Sequence, residues 1–182
     1  MYYYWCSPTL CYELNFPKMD RTRKMFLFRR AVEVFILTNL ALGLIQQWMI
    51  PAVVHSLNPF SKMQVFKAIE RLLKLAIPNH LIWLVWFYLI FHSFLNTVGE
   101  VLRFADREFY RDWWNSNNVL DFWKTWNLPV HRWAVRHLFK PVLRAGWSVV
   151  GAQTAVFLFS AVLHEYLISV PLRMFKVTFS SS

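Results

Sequence analysis

The stretch Leu81-Ile-Trp-Leu-Val-Trp-Phe-Tyr-Leu-Ile-Phe91 contains no charged residue and decides the fold class of this chain. It forms the centre of an apolar segment over about residues 75–98. That segment is long enough to cross a bilayer, because a helical span takes about 20 mostly apolar residues. Two further segments, at about 31–54 and 147–172, are also long and apolar. The sequence therefore predicts an all-α integral membrane protein with about three transmembrane helices.

The composition agrees with a membrane protein and excludes two other classes. The chain has 182 residues, of which 57% are hydrophobic and 16% are charged, and its formal net charge is +10. A soluble domain typically has about 45–50% apolar and about 25% charged residues. A disordered tail or a free nucleic-acid-binding arm would have many charges and few aromatic residues. The basic residues are therefore expected in the loops of a membrane protein.

Basic residues are concentrated in residues 18–30 and 99–146, on either side of the first two predicted spans. Because cytoplasmic loops of membrane proteins are rich in Lys and Arg, this pattern predicts that both segments face the cytosol. Segment 99–146 also mixes aromatic with basic residues, which is typical of helices that lie at the membrane surface. An ordinary connector of this composition is the alternative. Binding of single-stranded nucleic acid is disfavoured by the five acidic residues of the segment.

His164 and Glu165 are adjacent ionisable residues inside the third predicted span. An ionisable residue at the centre of a span costs about 2.5–3.5 kcal/mol, which favours a functional role. Neighbours on a helix point about 100° apart, so the two side chains cannot share one partner. Ser160 lies one turn before His164, on the same face. A buried, neutral imidazole is suited to act as a general base, and a structural hydrogen bond between helices is the alternative.

Asn127 and His131 form a second candidate pair, around Pro129, which is placed to open a helix. Asn127 is therefore either the N-cap of that helix or a catalytic residue. His92 is explained by packing and one hydrogen bond. The sequence contains no nucleophile elbow, no Gly-rich phosphate loop and no H-E-x-x-H zinc site. An enzyme with this sequence is expected to use a histidine base within the membrane, with no metal ion and no cofactor.

Phe109-Tyr-Arg-Asp-Trp-Trp-Asn115 resembles the F-Y-x-D-W-W-N signature of the acyl-CoA branch of the membrane-bound O-acyltransferases. Trp126-Asn127-x-x-Val-His131 and His164-Glu165-Tyr166 follow in the order found in that family. Four further stretches are similar to the diacylglycerol acyltransferases of the family, namely residues 8–17, 43–48, 70–83 and 169–174. The resemblance covers about residues 8–176.

The resemblance implies a multi-pass enzyme of the endoplasmic reticulum that transfers a fatty acyl group from acyl-CoA to diacylglycerol, forming triacylglycerol. A sterol acceptor is one alternative. A truncated, non-catalytic isoform that associates with the full-length enzyme is the other. The resemblance also implies a homo-oligomer, membrane lipids as further partners, and no nucleic acid. Spans at both ends of the family's fold are expected to be missing, and the tail 177–182 resembles nothing in the family.

The resemblance implies specific roles for individual residues. His164 is the expected catalytic base, and Asn127 is expected to hold the acceptor hydroxyl or the thioester. Trp126, His131 and Glu165 are expected to line the same chamber. The signature is expected on the cytosolic side, near the entry of acyl-CoA. Its residues are Phe109, Tyr110, Arg111, Asp112, Trp113, Trp114 and Asn115.

Overall fold

The computed structural model of the chain describes residues 2–54 and 65–170, and in this part it contains helices and connections but no strand. One isolated antiparallel bridge joins Lys18 to Phe104. The chain divides into two compact units, Met1–Asn127 and Leu128–Ser182. The predicted all-α class is therefore confirmed for the described residues.

The first unit is built around two long helices. Helix α2, Lys24–Leu44, continues through a π-helical turn, Ile45–Met49, as far as residue 54. Helix α3, Val65–Phe87, continues through a second π-helical turn, Tyr88–Phe94, into α4, Leu95–Val101. The other elements of this unit are short, and they are α1 at Tyr2–Cys6, a 3₁₀ turn at Trp113–Asn115 and α5 at Val119–Thr125.

In its described residues, 128–170, the second unit contains two helices joined by a short turn. The first is continuous over residues 128–144, and it consists of α6 at Leu128–Ala134, a π-helical turn at Val135–Phe139 and α7 at Lys140–Arg144. The second is α8, Val149–Ser169. In the turn, the N–H of Gly146 donates to Leu143 O at 3.0 Å and that of Trp147 to Val142 O at 3.4 Å. This bond pair requires a left-handed residue, and Gly146 supplies it at φ +89°.

Two stretches of the described residues are long and apolar enough to cross a membrane, Ile69–Val101 and Val149–Leu167. They coincide with the second and third predicted spans. The helix over the predicted first span includes Glu33 and Asn39 and is not one of these two stretches. The count of three spans therefore stays a prediction. Residues 171–172 of the third predicted span, and the tail 177–182, lie outside the described residues.

Proline explains two of the three π-helical turns in the described part of the chain. A proline ring displaces the carbonyl four residues before it and removes one helical hydrogen bond. Pro51 and Pro141 each place that carbonyl inside a π-helical turn, at Gln47 and His137 respectively. The turn at Tyr88–Phe94 contains no proline, and nothing in the sequence explains it.

A fully buried carboxylate, Glu100, fixes the end of α4 to the start of α2. It accepts hydrogen bonds from the Arg23 backbone N–H at 2.5 Å and from Arg23 Nη2 at 3.0 Å. Arg107 Nη1 donates to the same carboxylate at 2.5 Å. A buried charge is tolerated only when it is paired and hydrogen-bonded, and these contacts meet that condition.

The same helix end carries a backbone strain. Arg103 has φ 55°, in the left-handed region that glycine normally occupies after a helix. The reason is the hydrogen-bond pattern, since Arg103 N donates to Glu100 O at 3.2 Å and Phe104 N to Gly99 O at 2.7 Å. This is the same helix-ending motif as at Gly146, with an arginine in the glycine position.

Candidate active site

The signature is held by one buried ring and by one hydrogen bond to the continuation of α3. Phe109 is 2% exposed, and the Tyr110 hydroxyl lies 2.8 Å from His92 Nδ1. Burial raises the pKa of Tyr110, so its hydroxyl is protonated at neutral pH and able to donate to the imidazole. The single hydrogen bond predicted for His92 is confirmed, and its partner is a residue of the signature.

Trp113 and Trp126 belong to one aromatic cluster on α3 and α5. The ring centroid of Trp113 lies 5.0 Å from Phe87, 5.4 Å from Trp83 and 5.9 Å from Phe122. Trp126 lies 6.4 Å from Phe122 and 6.5 Å from Trp83. These separations fall in the range in which aromatic rings attract one another beyond their simple burial. The structure therefore brings Trp126 together with the signature.

The polar members of the signature line a cleft of about 560 Å³. In this cleft Arg111 Nε donates to Glu108 Oε1 at 2.8 Å, and this hydrogen bond raises the pKa of the Arg111 guanidinium. The Arg111 backbone N–H donates to Thr125 O at 2.9 Å, which fixes the signature to the end of α5. The lining residues are Glu108, Tyr110, Arg111, Asp112, Asn115, Ser116, Asn117, Asp121 and Thr125. Trp114 of the signature is not among these lining residues, and it is 62% exposed.

His164 lies on α8 with its ring fixed by the preceding turn. Nδ1 is 2.7 Å from the carbonyl oxygen of Ser160 and 3.3 Å from Ser160 Oγ. Because a carbonyl oxygen only accepts, this geometry places a proton on Nδ1, and in the neutral imidazole the lone pair is then on Nε2. The predicted pairing with Ser160 is confirmed. His164 is exposed within the described residues.

Glu165 points to a different partner, as the helical geometry predicts. Its Oε1 accepts a hydrogen bond from Ser169 Oγ, one turn later on α8, and Ser169 is buried. His164 and Glu165 therefore have separate partners, Ser160 before them and Ser169 after them. Glu165 is itself exposed.

Asn127 immediately precedes α6, which begins at Leu128 with Pro129 as its second residue. The predicted helix is therefore present, while the choice between a capping and a catalytic Asn127 stays open. His131 is half-buried on α6 and lines a second cleft. In residues 2–54 and 65–170 no group of three or more His, Cys, Asp or Glu side chains is placed to hold a metal ion.

Comparison with known proteins decides the family. The profile of the membrane-bound O-acyltransferase family matches residues 1–182. The chain belongs to the membrane-bound O-acyltransferase family. Diacylglycerol O-acyltransferase 1 of Bos taurus and of Homo sapiens are each 59% identical to it over 177 residues. Diacylglycerol O-acyltransferase 1C of Glycine max is 46% identical over 175 residues.

These relatives cover almost the whole chain, whereas the chain covers only part of them. The alignments include 97% of this chain for the two mammalian relatives and 96% for the plant relative. The chain spans 36% of the length of the mammalian relatives and 34% of the plant relative. The resemblance predicted from the motifs is thus confirmed at the level of the family.

Two contacts around the signature are not predicted by the sequence. The sequence predicts packing and one hydrogen bond for His92, but it does not predict that the partner is Tyr110 of the signature. Trp83 on α3 contacts both Trp113 and Trp126. Neither contact has a local sequence signal, because the partners are far apart in the chain. The apolar run around Leu81–Phe91 predicts a span. Its high aromatic content is the one local feature that indicates further aromatic contacts.

Proposed function

We propose that this chain carries the reaction centre of an acyl-CoA:diacylglycerol O-acyltransferase, which forms triacylglycerol in the membrane of the endoplasmic reticulum. The family assignment and the names of the relatives support the reaction class and the acceptor. The observation that carries the proposal is the ring orientation of His164. Its Nδ1–H is engaged by the Ser160 carbonyl at 2.7 Å, so Nε2 is the basic nitrogen.

In the proposed reaction, Nε2 of His164 takes the proton of the acceptor hydroxyl. The hydroxyl oxygen attacks the thioester carbonyl, a C–O bond forms, and the C–S bond to CoA breaks. The proton then passes from Nε2 to the departing thiolate, which leaves as CoA with a free thiol. A positioned general base of this kind contributes about 10²–10⁴-fold to the rate.

The remaining residues are proposed in supporting roles. Asn127 holds the acceptor hydroxyl or the thioester carbonyl, and Trp126, His131 and Glu165 line the chamber around the reacting groups. The signature Phe109–Asn115 lies on the cytosolic side, near the entry of acyl-CoA. The order of the motifs in the family supports these roles. Multi-pass insertion and homo-oligomerisation complete the proposal.

The test uses microsomes of a host that lacks its own triacylglycerol synthesis. The full chain is expressed there, and labelled acyl-CoA is supplied with either diacylglycerol or a sterol. We expect labelled triacylglycerol and no sterol ester. His164→Ala should lower the rate by at least about 10²-fold, because the general base is lost.

Two variants control for nonspecific effects. Ser160→Ala keeps the backbone carbonyl that fixes His164, so it should retain most activity. His80→Ala removes an exposed histidine that stacks on Trp83 at 6.2 Å, and it should also stay active. Equal activity of His164→Ala and the parent chain would disprove the proposed base. Absence of turnover, together with co-purification with a longer relative, would favour the non-catalytic isoform instead.

A further inference from the structure

A buried polar contact joins α2 to the π-helical turn at Tyr88–Phe94. Ser93 is fully buried, and its Oγ donates to Glu33 Oε2 at 2.9 Å. The same carboxylate oxygen accepts a hydrogen bond from Arg30 Nη1 at 2.7 Å, one turn earlier on α2. Ser93 lies in the stretch Ile69–Val101, where lipid would offer its hydroxyl no partner. The Glu33–Ser93 hydrogen bond therefore fixes the turn against α2.

His92 precedes Ser93 in the same turn and contacts a different element. Its ring stacks on Tyr88 with a centroid distance of 4.5 Å, and its Nδ1 lies 2.8 Å from the Tyr110 hydroxyl. Its backbone carbonyl accepts a hydrogen bond from Asn96 Nδ2 at 2.7 Å. Adjacent residues of one turn therefore contact two elements, since Ser93 bonds to α2 and His92 to the signature. π-helical turns inside helices are found frequently at functional sites.

Tyr110 is the residue through which these contacts reach the signature cleft. It lines the cleft of about 560 Å³ together with other polar residues of the signature. Its ring packs edge-on against Phe87 at a centroid distance of 5.2 Å, so both its ring and its hydroxyl are held by the helix that carries His92. Burial, the larger effect, raises the pKa of Tyr110, and the guanidinium of Arg30 lowers it. Helix α2 therefore acts on this hydroxyl through charge as well as through the turn.

We propose that Glu33 and Ser93 are positioning residues for the signature cleft. Their hydrogen bond fixes the turn that carries His92, and His92 fixes the Tyr110 hydroxyl at the wall of the cleft. Neither Glu33 nor Ser93 is among the residues that line the cleft, so they act through Tyr110. The inference rests on the proposed function for the identity of the ligand, acyl-CoA, and on the described contacts for the positioning itself.

Hydrogen–deuterium exchange of the full chain in nanodiscs tests the positioning without turnover. Ser93→Ala removes the hydroxyl and leaves the Arg30–Glu33 pair in place. Peptides over residues 109–115 should exchange about two- to tenfold faster in this variant, because loss of one net hydrogen bond changes an equilibrium constant by about that factor. Peptides over residues 24–44 and 149–169 should exchange as in the parent chain. Unchanged exchange over 109–115, or equally faster exchange over 24–44, would overturn the proposal, since Ser93 would then only stabilise helix packing.

A double-mutant cycle on ligand binding tests whether Ser93 acts through Tyr110. The probe is the thioether analogue of palmitoyl-CoA, which binds but cannot transfer its acyl chain. Ser93→Ala should raise the Kd of the probe about two- to tenfold in the parent chain. It should have no further effect in Tyr110→Phe, where the positioned hydroxyl is already absent. Equal effects in both backgrounds would overturn the proposal, because Ser93 would then act by another route.

Variants at Glu33 and at a second carboxylate complete the experiment. Glu33→Ala should behave like Ser93→Ala, whereas Glu33→Gln keeps an acceptor oxygen for the Ser93 hydroxyl and should recover most of the binding. Glu70→Ala is the matched control, because it also removes a carboxylate that pairs with a cation of its own helix, Lys74 at 2.6 Å, and it should bind like the parent. A parent chain that does not bind the probe would contradict the proposed function, and the exchange over residues 109–115 would still decide the positioning role.

Discussion

The buried carboxylate of Glu100 offers the sharpest test of how the first unit is stabilised. Glu100→Gln keeps the side-chain size and one acceptor oxygen but removes the charge that faces two guanidinium groups. Breaking a buried ion pair by removing one partner costs about 3–5 kcal/mol. Arg23 is 56% exposed and can be hydrated, whereas Arg107 is 12% exposed and is left with little water. We therefore expect the lower end, about 3 kcal/mol.

The assay is thermal unfolding of the full chain in detergent micelles, followed by tryptophan fluorescence. For a chain of this size each kcal/mol moves the midpoint by about 2–4 °C, so Glu100→Gln should lower it by about 6–12 °C. The matched control is Glu70→Gln, which removes an exposed pair with Lys74 at 2.6 Å. Exposed pairs are screened by water, so that midpoint should move much less than the midpoint of Glu100→Gln.

Two arginine variants then separate burial from charge. Arg107→Gln should lower the midpoint more than Arg23→Gln, because Arg107 is the less exposed cation and the backbone N–H of Arg23 is retained in both variants. Equal midpoints for Glu100→Gln and Glu70→Gln would refute the reasoning, since burial would then have no effect on the contribution of the pair.

Three further predictions concern the same unit. Phe87→Ala should lower the free energy of unfolding by about 3–5 kcal/mol, because Phe87 is 8% exposed in the aromatic cluster. Trp114→Ala should change it by no more than about 0.5 kcal/mol. Thermal melts followed by fluorescence measure both variants. Burial raises the pKa of Tyr110 in the folded chain. The stability that the protonated Tyr110 contributes is therefore complete below the pKa of about 10 in the unfolded chain, and it falls at higher pH. Melting midpoints from about pH 8 to 11 should therefore fall more steeply for the parent than for Tyr110→Phe. Arg103→Gly should raise stability by up to about 1 kcal/mol, because relief of the left-handed strain outweighs the added backbone entropy of glycine, and a lower midpoint would contradict this.

The helical class and two helices apolar enough to cross a membrane could be predicted because they depend on local composition. An uncharged run such as Leu81–Phe91 has few alternatives to a membrane-crossing helix. The contact of His92 with Tyr110 and the ion pairs of Glu100 could not be predicted in this way. These contacts join residues that are far apart in sequence, or they join Glu100 to one of several basic residues that could pair with it. Hydropathy gives no information about which residues come into contact.

His164 illustrates the boundary between these two kinds of inference. Helical spacing alone places Ser160 on the same face, and the predicted contact is present. Spacing does not decide which imidazole nitrogen is protonated, although the direction of proton transfer depends on it. That choice is made by the main chain, since the Ser160 carbonyl at 2.7 Å accepts only from a protonated Nδ1. Any residue at position 160 supplies this carbonyl, so the proton on Nδ1 follows from the helix itself rather than from the serine side chain.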